Sequence, residues 1–184
     1  VITGTGIVSP LGNSRAQLFA ELCEGRTGLK QTERFADGPM RGAVTGEISA
    51  FDAREIVGEG NFRPLDRTSQ LLIAATKLAL QDSGWSSDML QRDEVGLVVG
   101  TMFCSVHTIS EFDRRSLVEG PKYASPLDFA NTVINAAAGQ TAIWHSLRGV
   151  NSTISAGIPS GLQALAYATD LIRSDRVHAV LAGG

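Results

Sequence analysis

The chain has 184 residues, 43% of them hydrophobic and 19% charged, with a formal net charge of −3. That is enough chain and enough apolar content for one sizeable core. The small negative charge gives no electrostatic basis for binding nucleic acid or an anionic membrane, and no apolar run reaches the ~20 residues that span a bilayer.

Cys23 and Cys104 are the two cysteines. They are too few for a disulfide framework and lack metal-pair spacing, so a reducing cytoplasm is the expected setting. In chain order, Asn13 or Ser14 can cap a first helix whose Leu18, Phe19 and Leu22 share a face and which stops at Gly25. Residues 28 to 60 are glycine-rich and without period, and read as an irregular surface excursion. Leu71, Leu72, Ala75, Leu78 and Ala79 recur at helical spacing and predict a helix over 65–82, stopped by Gly84. Val95 to Gly100 is a short apolar run of the kind that forms a buried strand. A weaker helix is expected over 108–118, and a long one over 127–147 with Val133, Ile134, Ala137 and Ile143 inward, ending at Gly149. A strand over 151–155, a helix over 159–174 and a strand over 177–182 complete the chain. Strands alternating with helices argue an α/β layered fold. There is no internal repeat, low-complexity segment or linker.

The most informative stretch is Ser152-Thr153-Ile154-Ser155-Ala156-Gly157-Ile158-Pro159-Ser160-Gly161. It reads as a strand turning sharply into a helix, with Pro159 suited to the first helical position. Such an elbow presents one side chain at the mouth of a site, backed by free helix N–H groups and a positive dipole end. A nucleophile there has a lowered pKa and a ready oxyanion hole. The residue presented is Ile158, which is no nucleophile, and Ile158 is expected to be buried in the space a nucleophile would fill. A shift of register by one or two brings Gly157, Pro159 or Ser160 to the spot. Ser160 could act as a nucleophile if a base were at hand; the simpler reading is a hydroxyl bonded to nearby backbone.

These residues resemble the β-ketoacyl synthases, the condensing enzymes of fatty-acid and polyketide synthesis. Their elbow commonly reads Thr-Ala-Cys-Ser/Thr, and Ile158 falls on that cysteine. The opening Val1-Ile2-Thr3-Gly4-Thr5-Gly6-Ile7-Val8-Ser9-Pro10-Leu11-Gly12 is similar to the family's first strand and turn. Gln81-Asp82-Ser83-Gly84, Asn131-Thr132-Val133-Ile134-Asn135, Leu147-Arg148-Gly149 and Leu181-Ala182-Gly183-Gly184 follow in the family's order. The resemblance implies a thiolase-like layered α/β fold with mixed sheet and helices. Residues 1–184 would form its N-terminal half, cut from a longer protein whose second half carries the family's His, His and Lys.

The resemblance also implies a role. A ketosynthase that lacks the cysteine is similar to a chain-length-factor subunit, the non-condensing partner of an active ketosynthase in a heterodimer; a homodimer is the other possibility. Alternatives are an acyltransferase or hydrolase using Ser160 or the missing half, and a scaffold domain without activity. Acyl carrier protein is the implied partner, docking at Arg63 and Arg67; an ordinary solvated helix start explains these two equally well. Phe103, Phe112 and Phe129 are expected to line or gate the acyl pocket, or else to be ordinary core. Asn131, Thr132, Val133, Ile134, Ser152, Thr153 and Ile154 are expected at the dimer interface. No cofactor or metal is expected: His107, His145 and His178 lack ligand spacing. Gly4-Thr5-Gly6 lacks the later glycine and the acid of a dinucleotide site.

Overall fold

The computed structural model describes residues 1–32, 37–49, 51–86, 88–89 and 94–184. At its centre lies strand β3 (Gly96–Gly100), every residue of which is buried. A strand inside a parallel sheet is covered on both faces, which is why this run is apolar without a break. It pairs in parallel with β4 (Asn151–Ile154), from Leu97 opposite Asn151 to Gly100 opposite Ile154. On its other side it pairs in parallel with β5 (Val180–Gly183), from Gly96 opposite Val180 to Val99 opposite Gly183.

Side chains alternate across a strand, so β3 feeds two cores. Leu97 and Val99 join Leu80, Val95, Ala138 and Leu147 on one face. Val98 joins Ala164, Ala168, Leu171 and Val177 on the other. The first face is covered by α3 (Arg67–Ser83) and α6 (Ala136–His145), which pack on each other, and the second by α7 (Ser160–Arg173). Asp66 caps α3 by accepting the Ser69 N–H at 2.9 Å, and Gly84 ends it in the left-handed region. The deepest stripe of α3 is Ser69, Ile73, Thr76 and Leu80; the predicted face of Leu71, Leu72, Ala75, Leu78 and Ala79 is half-buried beside it. On α7 the buried stripe is Ser160, Ala164, Ala168 and Leu171, the i, i+4, i+8, i+11 spacing of a core-facing helix.

Several expectations need correction. The opening segment is not a strand: among the described residues it has no ladder partner beyond a single bridge between Ser9 and Gly12. It is tied instead to the end of α3, where the Asp82 carboxylate accepts from the Thr5 N–H (2.9 Å), the Thr5 hydroxyl (3.1 Å) and Arg15 (3.2 Å). Those bonds, the Thr5 N–H foremost, hold the Asp82 carboxyl below its usual range.

The excursion over 28–60 contains an antiparallel hairpin of β1 (Leu29–Gln31) and β2 (Val44–Gly46) and a short helix α2 (Ala53–Val57). Nearly all residues of both strands are exposed, so no hydrophobic alternation marked them. Residues 33–36 and 50 of that stretch lie outside the described residues.

Helix α1 (Arg15–Cys23) is capped by Ser14, but none of it is buried, and Phe19 and Leu22 stand exposed. Helix α4 (Val106–Val118) begins two residues before its expected start. The long helix over 127–147 is two pieces, α5 (Pro126–Phe129) and α6. Between them Asn131 turns inward and donates its carboxamide N–H to the Pro64 carbonyl at 2.8 Å. Val133, Ile134 and Ile143 are exposed, while the small side chains Ala136, Ala137 and Ala138 carry the buried face. α6 stops at Ser146, in the left-handed region at φ 57°, before Gly149 is reached.

Two outcomes check this core. Ile73→Ala should cost about 2–5 kcal/mol of unfolding free energy, as a buried large-to-small change does; Ile143→Ala should stay within about 0.5 kcal/mol. Chemical denaturation measures both. His145 is half-buried and donates Nε2–H to the Ile73 carbonyl at 3.0 Å. Burial lowers its pKa from 6.5, against the Ile73 bond, which raises it, and with a smaller lowering by Lys77. Below pH 6.5 the unfolded chain therefore takes up this proton more readily than the folded one, so stability falls as pH drops through that range. Denaturation midpoints at pH 8 and pH 5 should differ less in His145→Gln than in the parent.

Candidate functional site

The elbow forms where the sequence predicts it. β4 ends at Ile154, Gly157 turns the chain with φ 74°, and α7 begins at Ser160 with Pro159 as its N-cap, one residue later than expected. Gly157 is needed because an L side chain is strained in that left-handed region. At the end of β3, Gly100 is needed for a different reason. A Cβ there would fall 2.3 Å from the Ser160 carbonyl oxygen, so only glycine lets the start of α7 rest on the strand.

Ile158 lies in the turn, between strand and helix, but its side chain is 91% exposed. The expected buried plug is therefore corrected. The turn carries residue 158 away from the sheet, and among the described residues no side chain closes over it. Ser160, by contrast, is 3% exposed. Its Oγ accepts the Ala156 N–H at 3.0 Å and donates to the Gly157 carbonyl at 2.5 Å. Both capacities of the hydroxyl are spent on fastening the elbow to itself, which is the local-backbone reading of Ser160 and leaves it no free base.

The loop that follows β3 runs beside the elbow. The Thr101 N–H donates to Ile154 O at 2.9 Å, and Ser155 Oγ donates to Met102 O at 3.3 Å. Cys104 follows at φ 56°, with its thiol donating to Ile134 O at 3.3 Å. Ser105 is the N-cap of α4 but makes no side-chain cap bond. Here a cleft of about 620 Å³ opens between the start of α3, the start of α4 and Asn131.

Arg63 and Arg67 both line this cleft, so the structure brings the two predicted docking residues together. Arg63 is exposed; Arg67 donates to the Ile48 carbonyl and stacks over the Phe51 ring at 5.6 Å. Phe112 is half-buried, with its ring 5.8 Å from that of Phe129, which is exposed; Phe103 is exposed as well. None of the three lines the cleft, although Cys104, Leu127 and Asp128 beside them do. Of the predicted interface residues, Asn131 is buried, Val133 and Ile134 are exposed, and the Thr132 hydroxyl bonds Phe129 O at 2.8 Å. Ser152, Thr153 and Ile154 are half-buried on β4, whose outer edge has no strand partner among the described residues. His107 lines the cleft and His178 is exposed on the way into β5. Among the described residues no helix is long and apolar enough to cross a membrane. The cleft with Cys104 and Asn131 was not anticipated from sequence; the only hint was a cysteine and a helix start directly after the buried strand.

A parallel sheet between helix layers, with a strand-to-helix elbow at its carboxyl edge, is the N-terminal half of a ketosynthase-type α/β fold. The sequence profile of the family described as "Beta-ketoacyl synthase, N-terminal domain" matches residues 1–184, and the chain belongs to that family. It is 32% identical over 185 residues to the 3-oxoacyl-(acyl-carrier-protein) synthase 2 of Vibrio harveyi, covering 100% of this chain and 44% of that protein. To the protein of the same name from Coxiella burnetii it is 29% identical over 184 residues, again covering 100% of this chain and 44% of the relative. Among solved structures it superposes on the ishigamide ketosynthase/chain length factor with a TM-score of 0.82 and 29% identity, over 99% of this chain and 51% of that one. The chain thus spans less than half the length of the two curated relatives.

Replacing Ser160 by Ala should cost about 1–3 kcal/mol, because it removes both bonds of a buried hydroxyl, to the Ala156 N–H and to the Gly157 carbonyl. Ile158→Ala should change stability by less than about 0.5 kcal/mol. Thermal or chemical unfolding of the two variants distinguishes the fastening residue from the presented one.

Proposed function

We propose that the full-length protein is a non-condensing ketosynthase-family subunit of the chain-length-factor type, acting with an active ketosynthase on carrier-bound acyl chains in fatty-acid or polyketide elongation. The observation that carries this reading is Ile158 at the apex of an otherwise intact elbow. The strand, the left-handed Gly157 and the uncapped start of α7 are all present, while the residue they present has no atom that can attack a thioester. Ser160 does not replace it, since its hydroxyl is enclosed and doubly bonded to the elbow backbone.

Two further features support a subunit role. The outer edge of β4 offers unpaired backbone groups, the template on which a second strand adds. Exposed Val133 and Ile134 supply apolar surface on the preceding segment. Arg63, exposed at the mouth of the cleft, gives an acidic carrier a positive landing point, which acts mainly on the association rate.

The test is co-production of the full-length protein with an intact ketosynthase. Sedimentation should show a one-to-one complex, condensation should require the ketosynthase's own cysteine, and this protein alone should condense nothing. A protein that stays monomeric beside every active ketosynthase offered, or that condenses by itself, would sink the proposal. Within a productive complex, Phe103→Ala should shift products to longer chains with little change in melting temperature if that ring limits the pocket; unchanged products from a folded variant would remove Phe103 from that role.

A further inference from the structure

We draw no further inference here: the strongest candidate, the exposed apolar row of Leu162, Leu165 and Ile172 that continues Ile158 along the face of α7 opposite its buried stripe, carries nothing because nothing in the structure shows what covers it.

Discussion

Burial of β3 on both faces is the constraint from which the rest of the structure follows. A strand of five residues with no exposed atom to spare must be flanked by strands on both edges and helix layers on both faces. That requirement sets β4 and β5 beside it, draws α3 and α6 to one side and α7 to the other, and divides the apolar residues between two cores. It also fixes the direction of the neighbouring chains. With β3, β4 and β5 parallel, the loops after β3 and β4 emerge together at one rim, and whatever chemistry the domain holds is collected there.

At that rim the chain invests its polar contacts in shape. Ser160 closes the elbow on itself, Thr101 and Ser155 bind the two loops to each other, and Gly100 lets the first turn of α7 approach the strand end. The elbow is held by these contacts with an exposed isoleucine at its turn. That geometry is maintained by hydrogen bonds of the buried Ser160 hydroxyl that cost free energy to break, and the side chain at position 158 takes no part in them.

The neighbouring loop shows the complementary pattern. There the backbone is strained at Cys104, the helix start is uncapped, and a buried amide oxygen is left without a donor. The two loops thus differ: Ser160 fastens the elbow to its own backbone, whereas the loop after β3 holds a cysteine in the left-handed region.

Much of this was legible in the sequence because it depends on local order. The apolar run 95–100, the Ser14 cap of the first helix and the Gly84 stop of α3, and the strand–glycine–proline–helix order around Ile158 are set by periodicity and backbone preference, and all recur in the structure. Long-range contacts decided the remainder. Whether Val1–Val8 forms a ladder depends on a partner strand, and its tie to Asp82 is a contact 77 residues away. The break between α5 and α6 depends on Asn131 reaching Pro64, 67 residues back, and it turns Val133 and Ile134 outward against their apolar character. Whether Ile158 is a plug or an exposed knob depends on what packs over the turn, and whether Cys104 faces a cleft depends on where α3 and Asn131 fall. Sequence by itself determined the central strand, the strand-to-helix turn at Ile158 and the helices whose apolar spacing is unbroken; tertiary structure alone decided which side chains share a cavity, because that is a matter of contacts between residues distant in the chain.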